Sequence, residues 1–420
     1  MTAAPPLPRV VPYRVPWGAW HGDGTHELLL PAEWNVDVLV PVARPALSTT
    51  ELDDALEASL ETPPLDILAR GHRTACIVTE DLARPTKLDR LLPLLTSRLE
   101  AAGLNRSAIT IVVATGAHGS PSRAELVAKL GEATVESFRV EVHTATSELR
   151  RTGIVYGDGE LSVNRTFLES GMRILLGSAL PHPFAGFGGG AKLVIPGLTD
   201  LDATDRSHKF VLMGLRDGAR HGITKFREEV EALVARIGAQ FTVTVVPNDR
   251  REPVAVFCGD LVASHRAACA TAWAAYATPI LGDYDCLLLN AYPKDVDLIQ
   301  SQSALTALKW LGRPAVREGG VLVLTTAATH GLGQHGLFGP GGRSYRPPSR
   351  LRTLGDRALW LYAPTLDEGQ ARAVHWSGYP VFRDASSLSR DLHHRLGSGV
   401  RAAILAAAPT QILVDAGVAR

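Results

Sequence analysis

Cysteine is scarce in this chain. Cys76, Cys258, Cys269 and Cys286 are the only four among 420 residues, and no two form a C-x-x-C pair. Zinc-finger and redox-dithiol chemistry therefore lack their spacing. Cys76 and Cys286 lie inside apolar runs and read as small buried hydrophobes. An excess of either charge is also missing, because 43 basic residues balance 43 acidic ones. There is no basic tail and no Lys/Arg run interleaved with aromatics, so nucleic-acid binding has no footprint and a small-molecule ligand is expected. No apolar run approaches the roughly eighteen residues of a membrane-spanning helix. The opening MTAAPPLPRVVPYRV lacks the unbroken apolar stretch of a secretory signal. A cytoplasmic protein with no membrane partner is the expectation.

What is present is a repeated alternation of apolar strands and amphipathic helices. Residues 1–45 are rich in proline and poor in strand signals at first, and then THELLLP and NVDVLVP read as short strands. TACIVTED, AITIVVATGAHG and RILLGSALPH read as strands that break into polar loops. KLDRLLPLLTSRLEAAG and KFREEVEALVARIG read as helices stopped by Gly103 and Gly238. SPSRAELVAKLG is a helix with two alternative starts, Ser120 followed by Pro121, or a capping box of Ser122 and Glu125. A second series follows residue 272, with strands in DCLLLNAYP, GGVLVLTTAATHG and ALWLYAP and a helix in SALTALKWLG. The pattern predicts an α/β fold of two α/β domains, 1–270 and 271–420, with largely parallel sheets and an active site in the interdomain cleft.

Ligands of open α/β sheets sit beyond the carboxyl ends of the strands. The polar residues that follow the apolar runs are Asp81, Arg84, His118, His182, Lys192 and Gln300. The stretch GFGGGAKLVIPG around Gly188, Gly189 and Gly190 allows close backbone approach, either to a ligand or simply within a tight turn. It is not a Walker loop, because no glycine directly precedes Lys192 and no Ser or Thr follows it. Lys192 is either a surface lysine or, in apolar surroundings, a nucleophile or covalent anchor. Among fourteen histidines, His118 and His182 fall in loops predicted to face one crevice, as structural residues or as a proton-exchanging pair. His208 in TDRSHKF is a lone histidine, and one protein ligand suffices for a metal only where a cofactor supplies the rest. Asp200, Asp202 and Asp205 nearby allow a carboxylate site instead. Asp81 and Arg84 can pair with each other, or Arg84 can grip a substrate carboxylate.

Five segments, EDLARPTK, ATGAHG, PHPFAGFGGGAKLVIPG, TDRSHKF and AYPKDVDLIQSQSAL, together resemble the nickel-dependent lactate racemase family in order and separation. The resemblance implies a 2-hydroxy-acid racemase or epimerase carrying nickel in a pyridinium-3-thioamide-5-thiocarboxylic acid mononucleotide, the nickel-pincer nucleotide. By the same resemblance Lys192 would hold that cofactor covalently, and the glycines would let the chain pass close to it. His208 would be the one protein ligand to nickel. His118 and His182 would handle the substrate hydroxyl proton while the cofactor takes the C2 hydrogen. Arg84 would clamp the carboxylate, with Asp81 orienting Arg84 or a histidine. The first domain would carry cofactor and catalysis and the second would complete the substrate cleft. Enzymes that build the cofactor would be transient partners.

One position departs from the family pattern. The family has Gln-x-x-Lys where this chain has Gln300-Ser301-Gln302-Ser303, so Ser303 stands in place of a lysine. A short hydroxyl there favours a larger polyhydroxy acid, such as an aldonate, at least as much as lactate. Lys294 and Lys309 are other sources of the missing charge. Two further readings are a nickel-pincer or small-molecule binding protein without turnover and a dehydrogenase using free NAD. The first would not need both His118 and His182, and the second lacks G-x-G-x-x-G after a first strand.

Overall fold

The runs ACIVTE, ITIVVA and MRILLGS become three neighbouring parallel strands, Ala75–Glu80, Ile109–Ala114 and Met172–Ser178. Their side chains alternate between two buried faces. Ile77, Ile111 and Ile174 join one apolar cluster, and Val78, Val112 and Leu175 join another. Burial on both faces is why these strands read as unbroken apolar runs rather than as alternating ones. The computed structural model describes residues 9–144, 146–209 and 218–416. The chain divides into two units, one made of Ala43–Ala275 with Gln334–Ser344, the other of the remainder.

In the first unit the sheet has seven strands. Their order is Ser59–Leu60, Pro253–Gly259, Phe241–Pro247, Met172–Ser178, Ala75–Glu80, Ile109–Ala114 and Arg139–His143. Only the pairing of Phe241–Pro247 with Pro253–Gly259 is antiparallel. Between the two possible starts of helix Arg123–Leu130, the structure selects the capping box of Ser122 and Glu125, and Gly131 ends the helix at φ 87°. Helix Lys225–Ile237 is capped by the Thr224 hydroxyl and stopped by Gly238, also at φ 87°.

The second unit holds a six-stranded, wholly parallel sheet. Its order is Val381–Phe382, Ala358–Tyr362, Val316–Thr325, Tyr284–Asn290, Arg401–Leu405 and Asn35–Leu39. A single cut near residue 270 therefore misplaces the N-terminal segment. Asn35–Leu39 hydrogen-bonds along Arg401–Leu405, which ties the described residues before Ala43 to the C-terminal unit. A later partition falls between Ala275 and Tyr276. Residues 1–45 also hold more strand than their prolines suggest. Val10–Trp17 pairs antiparallel with Gly24–Pro31 in a two-stranded ribbon. Pro12 and Pro16 are four apart and share parity, so both missing donors can lie on the unpaired edge. SALTALKWLG forms a 3-10 stretch, Gln302–Trp310, after a short helix, Leu298–Ser301. Among the described residues no helix is long and apolar enough to cross a membrane.

Candidate active site

Three adjacent parallel strands deliver the first groups. Asp81 directly follows Ala75–Glu80, His118 lies four residues past Ile109–Ala114, and His182 lies four past Met172–Ser178. Asp81 accepts a hydrogen bond from His118 Nδ1 at 2.5 Å. Burial pushes the Asp81 carboxyl up, but the His118 charge and hydrogen bond, with Arg84 and Lys129 behind them, outweigh it and hold it below its ordinary value. An ionised Asp81 makes Nδ1 of His118 the donor, so the lone pair of the neutral ring sits on Nε2. Asp81 thus orients the histidine, not Arg84.

His208 ends helix Leu201–His208, and its Nδ1 lies 2.8 Å from the Thr204 carbonyl, which can only accept. The Nε2 lone pair is again left outward, the arrangement a metal-binding imidazole requires. Burial first, then the nearby Lys192 and His118 charges, lower His208 to about 4 against the opposing Thr204 bond, so the ring is neutral at pH 7. The neighbouring aspartates are engaged elsewhere. Asp200 caps the helix through the Ala203 N–H at 2.7 Å, Asp202 pairs with Arg343, and Asp205 accepts from the Ser344 hydroxyl at 2.6 Å. These contacts leave little for a carboxylate metal site. In His182 the Ala185 N–H lies 3.3 Å from Nδ1.

Phe184 joins the remaining groups. Its ring is 4.5 Å from that of His182 and 5.7 Å from that of His208. Lys192 Nζ lies 5.5 Å from the centre of Phe184 and 4.9 Å from that of Phe226. The lysine comes from a 3-10 turn, Gly190–Leu193, directly after the glycines. Those glycines have a packing reason of their own. A Cβ on Gly188 or Gly189 would stand 3.0 or 3.1 Å from the Ser178 carbonyl, and one on Gly190 would press against His265. Fully buried Arg227 donates to the carbonyls of Phe187 and Gly189, and His265 Nε2 lies 2.8 Å from that of Gly188. Gly186 is the most constrained, with φ +72° and a Cβ position 2.5 Å from the Ala219 carbonyl. We expect Gly186→Ala to destabilise the fold by at least about 2 kcal/mol, read as a lowered urea midpoint.

A buried polar network supports the loop that carries Asp81 and Arg84. Glu80 accepts from the Ser178 N–H at 2.9 Å and from its hydroxyl, which in turn meets the Thr86 hydroxyl. Lys129, fully buried, donates to the carbonyls of Arg84 at 2.7 Å and Thr86 at 3.0 Å. Burial lowers Lys129 to about 8 despite the Glu80 and Asp81 charges. Between that value and the ordinary 10.5 the unfolded chain binds the extra proton, so this residue makes stability rise with pH there and adds no slope below it. Lys129→Met is expected to remove that rise, measured as the difference between wild-type and variant urea midpoints from pH 7 to 10.

Asp81, His118, His182, Lys192 and His208 thus form one continuous cluster. Arg84 is close by, with its Nε 3.5 Å from the Cβ position of Gly188, and it makes no ion pair among the described residues. Gln300 and Ser303 belong to the other unit, where Gln300 lies in helix Leu298–Ser301 and the Ser303 hydroxyl is buried without a hydrogen-bond partner among the described residues. Four contributors have no sequence signal of their own kind: Phe184, Lys129, Arg227 and His335. The last lies in Gln334–Ser344, and its ring is 5.0 Å from that of His118 and 6.3 Å from that of His208.

Residues 21–219 match the lactate racemase N-terminal domain. The chain is 26% identical over 294 residues to a lactate racemase of Lactiplantibacillus plantarum, covering 68% of each chain. It is 28% identical over 292 residues to a lactate racemase of Thermoanaerobacterium thermosaccharolyticum, covering 68% of this chain and 67% of the relative. Its fold is similar to that of the lactate racemase apoprotein from the latter organism, with a TM-score of 0.73 at 22% identity, over 96% of this chain and all of the other. A Thermotoga maritima protein is similar with a TM-score of 0.64 at 14% identity, over 89% of this chain and all of the other. In its N-terminal domain match, its sequence and its fold, the chain is thus similar to lactate racemases.

Proposed function

We propose that the protein is an isomerase that inverts C2 of a 2-hydroxy acid, with nickel-pincer nucleotide held covalently by Lys192 and nickel bound by His208. The observation that carries this reading is the shared setting of these two residues. Phe184 touches both, His208 presents an Nε2 lone pair fixed by Thr204, and the Lys192 amine lies over two aromatic faces. A soft pincer that supplies three donors needs one neutral imidazole from the protein, and His208 fits that demand. When bound, the group supplies acceptance and return of the C2 hydrogen as hydride, chemistry no side chain can perform.

The chain's own residues manage the oxygen and the carboxylate. His118, held by ionised Asp81, accepts the hydroxyl proton at Nε2. His182 serves the hydroxyl in its opposite orientation. Arg84, without an ion pair among the described residues, clamps the carboxylate. Gln300 and Ser303 bind the rest of the substrate on the strength of the family pattern, and Gly188, Gly189 and Gly190 line the cofactor. Ser303 in place of lysine favours a polyhydroxy acid such as an aldonate at least as much as lactate. The test is a chiral assay of single enantiomers and C2 epimers, from lactate to gluconate, with protein produced alongside the cofactor-building enzymes. Inversion of at least one acid supports the proposal. A loaded protein that binds these acids and inverts none would favour a binding function.

A further inference from the structure

The neutral imidazoles at the site differ in which nitrogen faces outward. In His118 and His208 the Nδ1–H is spent on Asp81 and on the Thr204 carbonyl, so both leave a lone pair on Nε2. His335 is the reverse. Its Nδ1 accepts from the backbone N–H of Leu337 at 3.0 Å and of Phe338 at 3.3 Å. Two backbone donors aimed at one nitrogen keep it unprotonated, which places the ring proton on Nε2. That N–H has no hydrogen-bond partner among the described residues.

The position of the ring is fixed. His118 and His335 pair as an isolated antiparallel bridge, with Gly119 N–H donating to the Gln334 carbonyl at 3.1 Å and Gly336 N–H to that of Ala117 at 2.7 Å. Phe338 packs 4.7 Å from the His335 ring and 5.4 Å from the His208 ring. A rigid N–H donor thus stands beside the base at His118.

We infer that His335 donates its Nε2–H to the substrate oxygen from which His118 takes a proton. The inference rests on the proposed 2-hydroxy-acid chemistry. A hydroxyl that receives a hydrogen bond loses its proton more readily, and the carbonyl formed at C2 keeps the same donor through the reaction. Loss of one such preorganised donor costs on the order of 100- to 1,000-fold in rate.

The experiment compares His335→Phe, which keeps a ring but no donor, with His335→Gln, whose amide N–H restores one. We expect His335→Phe to lower kcat/KM by about 100-fold with unchanged nickel content, and His335→Gln to recover most of it. A second readout needs no turnover: the nitrogen signals of 15N-histidine-labelled protein, titrated with sodium lactate and sodium gluconate. The His335 Nε2–H resonance is expected to shift with whichever acid binds. Wild-type kcat/KM in His335→Phe, or equal losses in both variants with an unmoved resonance, would overturn the inference. A wild-type protein that inverts neither acid while the resonance still shifts would defeat the proposed reaction and leave the contact standing.

Discussion

Lys192→Ala is expected to leave the protein at its bare polypeptide mass, without nickel and without racemase activity, when it is produced alongside the cofactor-building enzymes. The amine is the only group of the cluster that can form the covalent link the family resemblance implies. Its removal should spare the fold. What is lost is a half-buried ammonium over Phe184 and Phe226, a contact worth about 0.5–2 kcal/mol. Lys192→Arg sharpens the result. It keeps the charge over the two rings but cannot be acylated in the same way, so it should also stay unmodified. Intact-mass and peptide-mass measurements read both variants directly. The same adduct mass on Lys192→Ala would show that the anchor lies elsewhere.

His118→Ala and His182→Ala are each expected to lower the rate of inversion by about 100- to 10,000-fold in both directions, the range of a positioned proton-transfer residue. The two losses should differ in kind. In the proposed reaction each histidine serves one orientation of the hydroxyl, so each variant should still oxidise one enantiomer to the 2-keto acid in a single turnover while failing on the other. Their preferences should be opposite. Asp81→Asn should lie between wild type and His118→Ala. The amide can still contact Nδ1, but it removes the carboxylate that fixes the lone pair on Nε2. Rapid-quench chiral analysis of each enantiomer checks all three. Retention of both half-reactions by His118→Ala would remove it from the proton path.

The legible parts of this protein are those whose physics is local. Apolar runs buried on both faces announced the strands, and the polar residues just past them, Asp81, His118 and His182, announced the candidate cluster. The capping box at Ser122 and the stops at Gly131 and Gly238 were also readable. Non-local partners were not. That Asp81 serves His118 depends on two strands lying side by side. Phe184 reads as any core aromatic until Lys192, His182 and His208 are placed around it. His335 arrives from a segment more than a hundred residues away, and the direction of its proton depends on two backbone N–H groups. The glycines illustrate a partial reading. Their close approach was foreseen, but the neighbours they admit are Ser178 and His265 of the chain itself. The N-terminal strand Asn35–Leu39 could not be assigned to its sheet, because nothing local distinguishes Arg401–Leu405 from any other parallel neighbour.

The central claim is that C2 is inverted by removal and return of its own hydrogen, with the histidines handling only the oxygen's proton. The most direct measurement uses a single enantiomer of whichever 2-hydroxy acid the loaded protein turns over, deuterated at C2, in ordinary water. The product is analysed by chiral separation and mass spectrometry. The account predicts an inverted product that keeps the deuterium. An inverted product carrying solvent hydrogen at C2 would contradict it, because that outcome means two bases exchanging a proton at carbon.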